Sequence, residues 1–74
     1  GEKIEINMEK AERFLNMASE QDNEFASYIL GKINYERKDY EKAEKEFMKC
    51  SNEYLKPYSE YYLGKMYLDK DDFS

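Results

Sequence analysis

Apolar residues recur along this chain at steps of three and four, the spacing that places side chains on one face of an α-helix. Four segments with this pattern are separated by short polar stretches, and they predict helices over residues 7–20, 24–37, 40–51 and 57–69. Valine and threonine are absent, and no segment alternates between apolar and polar residues, so the pattern does not indicate a β-strand. We therefore predict an all-α chain that forms a single domain, residues 1–74.

Polar and conformationally restricted residues mark the ends of the predicted helices. Asn7 and Asp39 stand where the N-caps of the first and third helices are expected. Residues 21–23 predict a polar turn, and Pro57 falls in a first helical turn, where proline is tolerated. The pair Asp72–Phe73 indicates that a fifth helix begins near the end of the sequence.

The chain also contains an internal repeat. Residues 26–40 match residues 59–73 at a shift of 33, and residues 8–18 match residues 40–50 at a shift of 32. A period of 32 to 33 residues with two helices in each period is typical of a solenoid built from antiparallel helical hairpins. We predict this architecture for the four helices.

The phase of the repeat assigns a place to each helix. Residues 7–20 correspond to the second helix of a preceding unit, residues 24–51 to one full unit, and residues 57–69 to the first helix of a following unit. Because a stable array usually needs at least about three units, we interpret the sequence as a fragment of a longer array. Its exposed ends are expected to self-associate, either by end-to-end stacking or by exchange of a helix between copies.

Two glycines recur inside predicted helices at the same phase of the repeat. A glycine in a helix costs about 1 kcal/mol relative to alanine, so Gly31 and Gly64 need a structural reason. Close approach of the two helices of a hairpin supplies one, with Gly31 facing Ala43. The small side chains of Ala18 and Cys50 would then let the next hairpin pack on the second helix.

Composition removes several classes of function. The chain has no histidine and a single cysteine, so a zinc site of the usual Cys/His type lacks ligands and a Ser-His-Asp or Cys-His system lacks its base. The net charge of −5 is unfavourable for binding a nucleic-acid backbone, and no apolar run approaches the length of a membrane span. We predict a protein that has no catalytic activity, metal or cofactor and binds neither nucleic acid nor membranes. One cysteine cannot form an internal disulfide, and we expect a cytoplasmic location.

Two remaining features could suggest chemistry. We interpret Cys50 as a small buried residue rather than a reactive thiol. Asp69, Asp71 and Asp72 form the densest acidic cluster, but the alternating pattern of a calcium loop, with its glycine and final glutamate, is missing. We interpret this cluster as part of a solvated helix surface.

A Leu-Gly pair is followed at fixed spacing by alanine, phenylalanine and a small residue, and the same series begins again one period later. The positions that carry the series, with their equivalents in the neighbouring units, are Ala11, Ala18, Leu30, Gly31, Ala43, Phe47, Cys50, Leu63, Gly64 and Tyr67. The series resembles the tetratricopeptide repeat, although Lys38 replaces the glycine that is usual at the turn inside a unit. The Sel-like repeats are a near neighbour, but their longer loop does not fit the short Lys38–Asp39 connection. The resemblance implies a right-handed superhelix of helical hairpins.

The resemblance also implies a binding surface, because in the family the first helix of each unit lines a concave groove. Lys32 and Lys65 are expected at the surface, whereas Tyr28 and Tyr61 could equally line the groove or complete the hairpin packing. A tyrosine ring has an apolar face and a hydroxyl group, which suits a recognition surface. Carried over by repeat position, the groove residues are Phe25, Tyr28, Ile29, Lys32, Tyr35, Tyr58, Tyr61, Tyr62 and Lys65.

These expectations together predict a scaffold module that binds a protein or peptide in the groove of its helical repeats. The alternative is a regulatory fragment whose repeat domain senses a peptide and controls an effector domain elsewhere in the parent protein.

Overall fold

The computed structural model describes the backbone of residues 2–71 and the side chains of residues 9–70. This part of the chain contains four α-helices and no β-strand, which confirms the predicted all-α class. The predicted fifth helix at Asp72–Phe73 lies outside the described residues. The helices are α1 (Glu2–Glu20), α2 (Glu24–Glu36), α3 (Tyr40–Met48) and α4 (Lys56–Asp71).

The helix boundaries differ most from the predictions at the start of α1 and at the end of α3. Helix α1 begins at Glu2, so Asn7 lies inside the helix, and its prediction as an N-cap is wrong. Residues 2–6 contain neither glycine nor proline, which explains why the helix continues toward the N-terminus. Helix α3 ends at Met48 rather than at residue 51, and its C-cap is Lys49.

The N-caps of α2 and α3 differ from each other in their side-chain hydrogen bonds. Asp39 occupies the N-cap position of α3, but its side chain makes no capping hydrogen bond. Asn23, which the sequence placed in a turn, caps α2 because its Oδ1 accepts a hydrogen bond from the Ala26 backbone N–H at 3.2 Å.

Two tight turns reverse the chain, and each uses a left-handed backbone conformation without glycine. Asp22 has a φ of 68° between α1 and α2, and Lys38 has a φ of 63° between α2 and α3. Aspartate tolerates this conformation better than lysine does. The strained conformation therefore falls at Lys38, the position where the resembling family usually has glycine.

Side-chain contacts define the directions of the helices. Glu12 of α1 contacts Arg37, the C-cap of α2, and Ser19 of α1 contacts Ser27 of α2, so these two helices are antiparallel. Tyr35 and Tyr28 of α2 contact Tyr40 and Phe47 of α3 in reverse order, so α3 is antiparallel to α2. Glu44 and Phe47 of α3 contact Tyr67 and Tyr62 of α4, so α4 is antiparallel to α3. Helix α4 therefore runs parallel to α2, and it contacts both α2 and α3.

The core lies between α2, α3 and α4. Leu30, Phe47 and Met66 are each 1% exposed, and Ala43 is fully buried. The glycine at position 31 permits this packing, because a Cβ there would lie 2.6 Å from Cε1 of Phe47. The side chain nearest to Gly31 is thus the Phe47 ring, whereas we expected Gly31 to face Ala43.

The repeat positions at the two ends of the chain are not packed in this way. A Cβ at Gly64 would have no neighbour within 4 Å among the described residues, so the close approach expected there is missing. Ala11 and Tyr67 are also exposed, and Ala18 and Leu63 are half-buried. The repeat positions that are buried are Leu30, Gly31, Ala43, Phe47 and Cys50.

Candidate functional site

Helices α2 and α4 lie side by side and place seven predicted groove residues on a shared surface. Steps of three and four residues put these side chains on one face of each helix. We call this set the tyrosine surface, and it consists of Tyr28, Lys32 and Tyr35 of α2 with Tyr58, Tyr61, Tyr62 and Lys65 of α4.

Tyr62 forms the base of the tyrosine surface and also completes the core. Its ring stacks on Phe47 with centroids 5.3 Å apart and an interplanar angle of 7°. Tyr28 and Tyr35 meet the Tyr62 ring at 6.2 and 5.5 Å, both in edge-to-face geometry. Such ring pairs contribute about 0.5–1.5 kcal/mol beyond the burial of apolar area. Tyr62 therefore joins three helices.

The two alternatives for Tyr28 and Tyr61 now separate. Tyr28 is half-buried and contacts Phe47 at 6.0 Å, so it completes the hairpin packing. Burial raises the pKa of its hydroxyl. Tyr61 is 59% exposed and contacts Tyr62 at 5.4 Å, so its ring is available for binding a ligand.

Two lysines add positive charge to the tyrosine surface. The Lys32 ammonium lies 5.5 Å from the centroid of Tyr28, and the Lys65 ammonium lies 5.3 Å from that of Tyr61 and 5.8 Å from that of Tyr35. Cation–π contacts at exposed sites are worth about 0.5–1 kcal/mol each. The neighbouring hydroxyls, Tyr35 first and then Tyr61, raise the pKa of Lys65 above its ordinary value.

Asp69 closes one end of the tyrosine surface. Its Oδ2 accepts hydrogen bonds from the hydroxyls of Tyr35 at 3.2 Å and Tyr40 at 3.4 Å. Burial, followed by the Asp69 charge, raises the pKa of both tyrosines. Asp69 was predicted to belong to a solvated acidic cluster, but it connects α4 to α2 and α3.

Two predicted groove residues take no part in the ring contacts of the tyrosine surface. Phe25 is 60% exposed, and the ring contacts of the described residues do not include it. Ile29 is 42% exposed and lines a shallow depression of about 400 Å³ together with Ile33 and the stems of charged residues.

A buried polar network joins α1, α2 and α3, and the sequence analysis missed it. The Ser19 hydroxyl is 2.7 Å from the Ser27 hydroxyl, donates to Glu46 Oε1 at 2.9 Å and accepts from Lys49 Nζ at 3.0 Å. Ser19 is 3% exposed, and every group in the network is paired, so we assign it a structural role. Isolated serines far apart in the chain form no recognisable motif, and no sequence signal identified them.

Cys50 is buried, as predicted. It is 5% exposed, and its thiol sulfur lies within hydrogen-bond distance of two backbone carbonyls, that of Glu24 at 3.5 Å and that of Glu46 at 3.7 Å. Burial raises the pKa of the thiol, whereas the neighbouring Ser59 hydroxyl acts in the opposite direction. Cys50 is therefore a packing residue, because a reactive cysteine needs an exposed thiolate.

Comparisons with protein-family models, with curated proteins and with solved structures find no significant match. Among the described residues, no group of three or more acidic or cysteine side chains is arranged to hold a metal ion. Within residues 2–71, no helix is both long enough and apolar enough to cross a membrane.

Proposed function

We propose that this chain is a helical-hairpin repeat module, a solenoid of the tetratricopeptide type, that binds a protein or peptide on the tyrosine surface. The observation that carries the proposal is the parallel placement of α2 and α4, which brings five tyrosines and two lysines together. The module works by contact.

The chemistry of the tyrosine surface defines the ligand. Exposed Tyr58 and Tyr61 rings, each 59% exposed, offer apolar area that loses little side-chain entropy on binding. Lys32 and Lys65 provide two positive charges in a molecule with a net charge of −5. The ligand is therefore an extended or helical segment with an apolar stretch flanked by carboxylates.

A pair of synthetic peptides tests this proposal. Both have the same leucine- and phenylalanine-rich centre, one with glutamate at each end and the other with lysine. We expect the glutamate-flanked peptide to bind more tightly and to shift the amide NMR signals of Tyr61 and Lys65. The proposal fails if the two peptides bind equally or if the shifts lie on α1 and α3.

Tyr61→Ala provides the test by mutation. Removing the exposed ring should weaken binding of the glutamate-flanked peptide by about 1–3 kcal/mol and leave the circular dichroism spectrum unchanged. Tyr54→Ala is the matched control, because Tyr54 is 77% exposed and lies on the connection between α3 and α4. Equal losses for the two variants would contradict the assignment of the site.

A further inference from the structure

At its two ends the molecule exposes positions that are equivalent, by the repeat, to positions buried between α2 and α3 in its middle. Phe47 of α3 is 1% exposed, but its repeat equivalent on α1, Leu15, is only half-buried. Ala43 is fully buried, whereas its equivalent Ala11 is exposed. These positions match in sequence, so the difference in burial comes from the helices that surround them.

The opposite end shows the same difference on α4. Gly31 is buried because the Phe47 ring lies against it, whereas the equivalent Gly64 is exposed and open. Leu68 is 67% exposed, although its equivalent Tyr35 is half-buried. Helix α4 therefore has the repeat equivalent of the surface that α2 packs against α3. On α4 this surface is uncovered in the described structure.

We propose that a second copy of this chain occupies this surface, with its α1 and α2 packed against α4 of the first copy. In this arrangement α1 of the second copy lies against α4 as α3 lies against α2. Leu15 then fits over Gly64 of the first copy, as Phe47 fits over Gly31.

The repeat equivalence also supplies the remaining contacts. Tyr28 meets Tyr62 at 6.2 Å within the chain, and the equivalent contact between copies joins Tyr61 to Ile29. Tyr35 meets Tyr62 at 5.5 Å within the chain, and the equivalent contact between copies joins Leu68 of the first copy to Ile29 of the second. The exposed apolar residues of each end thus find apolar partners on the other end.

This interface joins different surfaces of the two copies. The first copy keeps a free α1–α2 face and the second keeps a free α4 face, so further copies can add. The structure therefore predicts head-to-tail chains that lengthen with concentration, rather than a closed symmetric dimer.

Two variants block the two faces without disturbing the monomer. Gly64→Leu fills the open notch on α4, and Ala11→Glu places a charge on the exposed face of α1. Filling or charging a close-packed contact should weaken self-association about tenfold or more. Both positions are exposed, so the circular dichroism spectra should match that of the parent chain.

The repeat also selects the controls. Asn16→Glu is matched to Ala11→Glu, because the equivalent Met48 stays 70% exposed where the interface is formed. Lys70→Leu is matched to Gly64→Leu, because the equivalent Arg37 side chain stays 51% exposed. Both controls should associate like the parent chain.

Sedimentation velocity from micromolar to millimolar concentration gives the readout. We expect the parent protein to form longer assemblies as its concentration rises and each blocked variant to stay monomeric. A mixture of the two blocked variants should form dimers and nothing larger. The proposal is overturned if the parent chain remains monomeric at millimolar concentration, if Gly64→Leu associates like the parent chain, or if the mixture forms no dimer.

Discussion

Gly31 and Gly64 show how the same residue at the same repeat phase can have opposite energetic roles. At Gly31 a Cβ would overlap the Phe47 ring, so the missing side chain allows α2 and α3 to approach. At Gly64 the space is open, and the glycine only weakens the helix.

Alanine at these two positions should therefore change stability in opposite directions. Gly31→Ala should lower the free energy of unfolding by about 1–3 kcal/mol, because the Phe47 ring must shift. Gly64→Ala should raise it by about 1 kcal/mol through helix propensity. Urea denaturation followed by circular dichroism at micromolar concentration measures both. Equal changes in the two variants would contradict the assigned contact between Gly31 and Phe47.

At the scale of the elements, Glu24 connects the start of α2 to the segment that joins α3 and α4. Its Oε1 accepts hydrogen bonds from the backbone N–H groups of Ser51 at 2.8 Å and Asn52 at 2.9 Å. These backbone groups lower the pKa of Glu24 below its ordinary value of 4.5, with the Asn52 bond as the larger cause. One carboxylate thus holds the linker on which the position of α4 depends.

The lowered pKa gives this connection a pH dependence of definite sign. The folded state favours the ionised carboxylate, so its contribution is complete above the ordinary pKa of 4.5 and is lost as the pH falls through the lower folded pKa. Thermal melts of the parent chain and of Glu24→Gln should differ most at neutral pH and converge under acid. Exposed Glu53→Gln controls for the loss of one charge. A difference that stays constant with pH would show that the carboxylate charge does not stabilise the linker.

At the scale of the whole molecule, half-buried tyrosine rings supplement a small buried core. Leu, Ile, Val and Phe together make up less than a fifth of the 74 residues, a proportion that is typical of disordered chains when net charge is high. The Phe47–Tyr62 stack and the tyrosines around it supply the missing apolar area and join α2, α3 and α4. The stability of the fold therefore depends on a small number of aromatic rings.

Removing the central ring should detach α4 from the other helices. We expect Tyr62→Ala to cost about 3 kcal/mol or more, a large share of the 5–15 kcal/mol total that is usual for a domain. Tyr54→Ala, at an exposed tyrosine, should leave the melting temperature unchanged. Thermal denaturation followed by near-ultraviolet circular dichroism compares the two. Similar melting temperatures would show that the Tyr62 ring does not hold α4 in place.

The sequence by itself determined the local structure of this protein. Apolar spacing and turn residues predicted four helices and the turn at residues 21–23, because helix formation depends on residues three or four positions apart. The sequence analysis also placed Tyr28 and Tyr62 among the groove residues, and the structure brings their rings together. Helix ends were less accurate, as Asn7 shows, because a cap forms only where no neighbouring residue continues the helix.

Only the tertiary structure decided which of these residues are buried and which are free. Tyr61 and Tyr62 are adjacent in sequence, but the Phe47 ring covers one and leaves the other 59% exposed. Ser19 finds partners on two other helices, and no local pattern marks it. Burial depends on residues that are distant in sequence, so a repeat predicts equivalent positions but cannot tell whether a neighbouring helix is there to cover them.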